Sequence, residues 1–317
     1  MSNRIVVIAG PTASGKTRLG ISLAHALGGE IVSADSMQVY RGMDIGTAKA
    51  DERERAAAVH HMLDVADPAE NYSAARYVRE AGAVCDALLE RGVTPIVVGG
   101  TGLYIDSLIA GRDFAENEDD NALRRALEAE YDAVGGEELL RRLAAFDPER
   151  AKRLKPGDRR RIVRAIEIYR LTGVTATAHD EETRRRPPRY DASRIVLGYR
   201  DRAALYARID RRVTAMAEAG LFEEVEGLLA AGLSPDCTAM QAIGYKEAVL
   251  ALRGELTREE ALHLIRQNSR RYAKRQLTWF RRWDDALRIL FDDEPDFESA
   301  RQLSTAFLLG RGYAVCV

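Results

Sequence analysis

Short apolar runs rich in β-branched residues alternate with amphipathic stretches over the first hundred positions. "RIVVIA" (4–9) runs into a glycine turn and reads as a buried strand. Residues 16–27 set Leu19, Leu23, Ala24 and Leu27 on one helical face. "EIVSA" (30–34) is a second strand and "HMLDV" (61–65) a third. Residues 73–90 place Val78, Ala81, Val84, Cys85 and Leu88 at helical spacing; Gly92 closes that helix and "TPIVVGG" (94–100) follows as a strand. A last strand, "RIVLGY" (194–199), comes only after a long gap. Such alternation predicts an α/β fold with a parallel, doubly wound sheet.

The gap has a different character. From about 112 to 190 the strand signals stop, and "NALRRALEAEYDAV", "GEELLRRLAAF", "DPERAKRL" and "DRRRIVRAIEIYRLTG" read as successive helices. Asp147-Pro148 and Asp158 mark helix starts, Gly173 a stop, and "RRRPPR" (184–189) a non-helical return. The expected organisation is a P-loop α/β core, 1–111 and 191–317, interrupted by a helical insertion, 112–190. The pattern from 201 to 290 is helical again.

The chain has 317 residues, 46% hydrophobic and 30% charged, with a formal net charge of -2. That is globular composition, and any nucleic-acid partner would have to meet locally concentrated basic charge. Cys85, Cys237 and Cys316 lie far apart with no C-x-x-C pair, which argues against a zinc site or a disulfide framework. The first apolar run is too short for a signal peptide, and no stretch of about 18 apolar residues suggests a membrane span. The expectation is a soluble cytoplasmic protein with no membrane association.

Gly10-Pro11-Thr12-Ala13-Ser14-Gly15-Lys16-Thr17 fits G-x-x-x-x-G-K-[ST], with a strand before it and an amphipathic helix after it. In that setting backbone N–H groups and a helix N-terminus converge on phosphate oxygens. Lys16 adds a cation, and the Thr17 hydroxyl can ligate Mg²⁺. The loop alone leaves NTP hydrolysis, phosphoryl transfer and plain anion binding open. "PIVVGGTGLY" ends in Gly99-Gly100-Thr101, without the acid that a P-loop ATPase strand carries. "IVSAD" does end in an acid: Asp35 stands at the mouth of the sheet, as a helix cap, a metal ligand or a general base. Arg208 and Arg212, four apart, share a helix face and suit either salt bridging or phosphate.

Two basic runs stand out. Residues 150–164 hold eight Lys/Arg against one Asp; residues 266–282 hold seven against no acids, with Tyr272, Trp279 and Phe280 interleaved. Such runs are usually solvated helix faces. Two of them in a net-acidic chain with a phosphate loop point towards RNA.

"GPTASGKT", "SADSMQVYRGMDIGTAK", "HHMLDVADP", "VVGGTGLYI", "RRRIVRAIEIYRLTG", "MQAIGYKE" and "RRYAKRQLTWFRR" occur in this order between residues 8 and 282. Together they resemble the tRNA dimethylallyltransferases, and the absence of a Cys/His cluster after 290 resembles the shorter bacterial form. The resemblance implies transfer of a dimethylallyl group from dimethylallyl diphosphate to N6 of the adenosine at position 37 in tRNAs that read codons beginning with U. The phosphate loop would then hold a diphosphate leaving group with Mg²⁺, Arg208 or Arg212 would reach that diphosphate, and no nucleoside triphosphate would be consumed. It further implies that Asp35 is the general base and that Thr101 orients the reacting ends. Asp35, Ser36, Met37, Gln38 and Thr101 would meet the target nucleotide. Arg124, Arg160, Arg161, Ile162, Val163 and Arg164 of the insertion would clasp the anticodon stem-loop. Gln241 stands where many relatives have a basic residue. Nothing suggests more than a monomer. His60 and His61 lie in a matching motif and read as packing residues.

Overall fold

A computed structural model describes residues 3–112 and 120–315, except for the side chains of residues 120 and 121. Its contacts divide the chain into two compact units, Met1–Ile109 with Arg189–Val317, and Ala110–Pro188.

The first unit is built on six strands: β1 (Arg4–Ala9), β2 (Gly29–Ser33), β3 (His60–His61), β4 (Thr94–Gly99), β5 (Asp191–Tyr199) and β6 (Leu287–Phe291). They pair in the order β3-β2-β4-β1-β5-β6, every pair parallel. β1 is central, and Ile5, Val6, Val7 and Ile8 are fully buried, as a strand covered on both faces requires. The helices of this unit are α1 (Lys16–Leu27), α2 (Glu52–Ala57), α3 (Ala74–Glu90), α4 (Gly102–Ala110), α10 (Arg202–Glu218), α11 (Leu221–Ala230), α12 (Tyr245–Leu252), α13 (Arg258–Phe280) and α14 (Phe297–Gly310). The second unit, except for the last residue of α4, is made of α5 (Asp120–Val134), α6 (Gly136–Phe146), α7 (Pro148–Lys152), α8 (Arg159–Thr172) and α9 (Ala176–Arg185).

Two strand expectations are corrected. β3 is a two-residue pairing at 60–61 rather than 61–65, because Met62 and Asp64 take positive φ (63° and 58°) and turn the chain off the sheet edge. The last strand is not 194–199: β6 pairs in parallel with β5, from Ile195 opposite Leu287 to Tyr199 opposite Phe291. Its five residues alternate buried Ile289 and Phe291 with exposed Arg288 and Leu290, the signature of an edge strand.

Leu19, Leu23, Ala24 and Leu27 of α1 and Val78, Ala81, Cys85 and Leu88 of α3 are all buried. The second unit has its own core, in which Leu127, Leu139, Leu143, Ile162, Val163 and Ile166 pack together. Asp147 caps α7 by accepting from the Arg150 N–H, with Pro148 in the first turn, and Gly173 ends α8 in the left-handed conformation.

Candidate functional site

The carboxyl ends of β1, β2 and β4 lie side by side, so the segments that follow them share one mouth of the sheet: Gly10–Lys16, Asp35 onward, and Gly100-Thr101. This is where open parallel sheets bind ligands.

The phosphate loop turns into α1 through Gly15, whose φ of 82° suits glycine. A Cβ there would also stand 2.2 Å from the Phe297 ring. α1 has no acid in its first turn and no side-chain cap, so its N-terminal N–H groups and its positive dipole end are not neutralised by the helix itself. The Lys16 ammonium donates to the Pro11 carbonyl at 2.8 Å. Its pKa falls to about 7, first through burial, then through the nearby Arg212 charge; Asp35 opposes the fall. Ser14 is fully buried with its hydroxyl unpartnered beneath the loop, 3.0 Å from where a Gly10 Cβ would stand. The Thr12 N–H is committed to the Gln276 side chain at 2.8 Å. The loop's own contacts therefore occupy the Thr12 N–H, while the Ser14 hydroxyl has no partner among the described residues.

Asp35 follows β2. Its Oδ1 accepts the Met37 N–H at 2.9 Å and the Gln38 N–H at 3.4 Å, a local turn that aims the carboxylate and leaves Oδ2 without a partner among the described residues. The Thr101 hydroxyl accepts the Ser36 N–H at 3.1 Å and lies 3.4 Å from the Ser36 hydroxyl. The Thr101 N–H bonds to the Ala34 carbonyl at 3.1 Å. Asp35 and Thr101 are thus brought together by backbone. The Gln38 amide accepts from the Ser33 hydroxyl and donates to the Thr47 and Ala48 carbonyls, so it braces its own loop.

The two arginines of α10 divide their work. Arg208 bonds to the Ala13 carbonyl at 3.2 Å and pairs with Glu294 at 2.8 Å, which makes it a support of the loop. Arg212 reaches the Thr47 carbonyl at 3.4 Å, has a buried and unpartnered Nε, and influences Lys16. Burial lowers its pKa and Asp35 partly restores it. Arg212 is therefore the arginine with capacity left for a new anion. Beside it opens a cleft of about 820 Å³, lined among others by Arg41, Asp44, Lys49, Asp64 and Met216.

Several supports carry no sequence signal. Buried Lys49 donates to the Tyr40 carbonyl (2.8 Å), Asp44 (2.5 Å) and Asp64 (2.7 Å), pinning the loop after Asp35. Glu224 of α11 accepts the N–H groups of Asp44, Ile45 and Gly46 together with the Tyr245 hydroxyl. Gln276 spans the Thr12 N–H and the Gly100 carbonyl. Tyr272 stands one turn earlier, and burial followed by the Asp35 charge pushes its hydroxyl up to about 12. A glutamine four residues after a tyrosine inside an arginine run was the one visible hint.

In the second unit, Arg124 and Arg164 are not free. Arg124 makes a bidentate pair with fully buried Glu167, both bonds 3.0 Å, and Arg164 reaches the same carboxylate at 2.7 Å. Ile162 and Val163 are core residues, so the expectation that their side chains meet RNA is corrected. Arg160 and Arg161 are exposed in the first turn of α8, with no ion-pair partner among the described residues. Of the second basic run, Arg270 pairs with Asp210 and Arg266 bonds to Thr214, while Arg271, Lys274, Arg275 and Arg281 stay exposed without an acidic partner there. Gln241 is exposed and donates to the Pro235 carbonyl at 3.1 Å. Among the described residues no helix is long and apolar enough to cross a membrane, and no three His, Cys, Asp or Glu residues are grouped to hold a metal ion.

Known proteins resemble this chain in sequence and in fold. The model of the family described as IPP transferase matches residues 38–283, and that described as isopentenyl transferase matches 3–64. A tRNA dimethylallyltransferase of Geobacter sulfurreducens is 50% identical over 304 residues, 96% of each chain. One of Caldanaerobacter subterraneus is 42% identical over 312 residues, 98% of this chain and 99% of the relative. The solved tRNA isopentenylpyrophosphate transferase of Bacillus halodurans superposes with a TM-score of 0.71 at 39% identity, covering 98% of both chains. A eukaryotic dimethylallyltransferase acting on tRNA gives a TM-score of 0.79 at 28% identity, covering 98% of this chain and 81% of that one. This chain, with its phosphate loop and Asp35–Thr101 pair at the mouth of one parallel sheet, belongs to the IPP transferase family, among whose curated relatives are the tRNA dimethylallyltransferases.

Proposed function

We propose that the protein transfers the dimethylallyl group of dimethylallyl diphosphate to N6 of adenosine 37 in tRNAs reading codons that begin with U. The observation that carries this reading is the shared mouth. A phosphate loop with Lys16 and Arg212 stands beside a carboxylate, Asp35, and a hydroxyl, Thr101, and no acid ends β4.

The C1–O bond of the prenyl diphosphate breaks as the N6–C1 bond forms. Negative charge grows on the departing diphosphate, where the N-terminus of α1, Lys16 and Arg212 stabilise it. The exocyclic amine sheds a proton as it alkylates, and the free oxygen of Asp35 accepts it. Thr101 and Ser36 orient the amine. The donor set also suits Mg²⁺. The Thr17 hydroxyl at the start of α1 would supply one oxygen to an ion that keeps several waters and binds chiefly to substrate phosphate. When bound it would neutralise diphosphate charge.

Each unit has exposed cations that suit an anticodon stem-loop, Arg160 and Arg161 in the second and Arg271, Lys274 and Arg275 in the first. They would position it through phosphates rather than read its sequence. α8 starts with three arginines at the positive end of its dipole, an arrangement that phosphate relieves. The target adenine would leave its stack to reach Asp35. We take the working unit to be a monomer.

Labelled dimethylallyl diphosphate with an unmodified tRNA anticodon stem-loop tests this. Label should enter the RNA at one adenosine and release one diphosphate. ATP turnover with no label in RNA would favour a P-loop kinase instead.

A further inference from the structure

We propose that Gln276 is a positioning residue that sets the distance between the phosphate loop and the Thr101 turn. The proposal rests on the prenyl-transfer reading above. The two segments leave adjacent strands, and the β1–β4 ladder ends at Ala9 opposite Gly99. One residue further, where the chemistry is, no backbone rung joins them. The Gln276 amide supplies the missing rung: Oε1 accepts the Thr12 N–H at 2.8 Å and Nε2 donates to the Gly100 carbonyl at 3.0 Å.

The amide can face only one way, because an N–H must meet an acceptor and a carbonyl must meet a donor. Gln276 is 4% exposed, so neither bond has water as a ready substitute. Gly100 makes room: a Cβ there would stand 2.2 Å from Nε2. The helix behind the amide is itself fixed. The indoles of Trp279 and Trp283 donate to the two oxygens of Asp106 at 2.8 and 2.9 Å, and Asp106 lies on α4, which begins one residue after Thr101.

Leaving group and nucleophile are held by these two segments separately. In-line transfer tolerates little error between them: a misplacement of about 1 Å costs on the order of 10²-fold. Gln276 touches neither reacting end and acts through both segments.

The test uses the full chain, purified as wild type, Gln276→Met and Gln276→Glu. Wild-type transfer of labelled prenyl to the stem-loop is the control, and its absence overturns the function reading rather than the role of Gln276. Gln276→Met, similar in volume but without donors, should lower kcat by about 10–100-fold, with KM for dimethylallyl diphosphate and stem-loop affinity within about threefold of wild type. Gln276→Glu should be as slow at pH 8, where two acceptors meet the Gly100 carbonyl. It should regain activity relative to wild type as the pH falls towards 6, where the protonated carboxyl donates as the amide does. Lys16 titrates in both enzymes and cancels in the ratio, and the Tyr272 hydroxyl, pushed up to about 12, keeps its proton throughout this range. A Gln276→Met kcat within threefold of wild type, a loss confined to KM or RNA affinity, or a Gln276→Glu ratio flat with pH would overturn the proposal.

Discussion

The N-termini of α1 and α8 both present cations, but in opposite ways. At α1 the cations are few and enclosed: Lys16 is folded onto Pro11, Arg212 keeps a buried and unpartnered Nε, and Asp35 bears on both. At α8, Arg160 and Arg161 stand in water with no ion-pair partner among the described residues, while Arg124 and Arg164 are neutralised by buried Glu167. Enclosed charge is costly to hold and strong when an anion arrives, which suits charge that develops during a reaction. Exposed charge is screened by salt and releases counterions on binding, which suits docking of a polyanion. The same residue types thus suit chemistry in one setting and attachment in the other.

The sharpest break between the two regions should come from Asp35→Ala. Turnover should fall by about 10²–10⁴-fold while stem-loop affinity stays nearly unchanged, measured by single-turnover kinetics and direct binding. A rate within threefold of wild type would remove Asp35 from the mechanism. Next comes Glu167→Ala, which unpairs Arg124 and Arg164. Both arginines are partly exposed and can turn to water, so the loss should be about 2 kcal/mol, seen as a lower urea midpoint of the full chain. An unchanged midpoint would mean that the buried carboxylate is not a keystone of the second unit.

The third test uses the depressed Lys16 pKa. Only the ammonium attracts an anion. Below pH 7 it is protonated before and after binding, so affinity is complete; above pH 7 the free protein must regain the proton that the bound anion holds in place. Affinity for inorganic diphosphate without metal should therefore fall by up to about tenfold per pH unit above pH 7 in wild type, relative to Lys16→Met, in calorimetry at constant ionic strength. Parallel slopes in the two proteins would mean that Lys16 does not titrate there. The smallest effect is Arg161→Ala: a few-fold weaker stem-loop binding at moderate salt and a log–log salt slope shallower by about one unit, with kcat at saturating RNA unaltered. An unaltered slope would leave Arg161 as a merely solvated charge.

Much of the first unit is legible along the chain because its signals are local. Strand β1, the loop Gly10–Thr17 and helix α1 follow from hydrophobic period, glycine turns and helix geometry within about twenty residues. β6 escaped because five residues with two exposed positions, just after an arginine-rich helix, look like that helix's frayed end. The motif that holds Gln38 stands beside Asp35, but the structural role of Gln38 carries no local signal. Its amide is spent on carbonyls nine and ten residues ahead, in a loop with no regular period. Ile162 and Val163 share a motif with exposed arginines, but at about 100° per residue the helix turns them onto its buried side while Arg160 and Arg161 face out.

The sequence by itself determined the phosphate loop, the acid after β2, the turn after β4 and the α/β alternation that brings them to one end of a sheet. Each is set by backbone geometry over a few residues. Only the tertiary structure decided which of Arg208 and Arg212 keeps capacity for an anion, that Lys16 titrates near 7, and that Gln276, 264 positions from Thr12 and 176 from Gly100, joins the two. Desolvation, charge proximity and hydrogen-bond satisfaction are properties of what lies near in space. Those neighbours come from segments whose separation along the chain leaves no periodic trace.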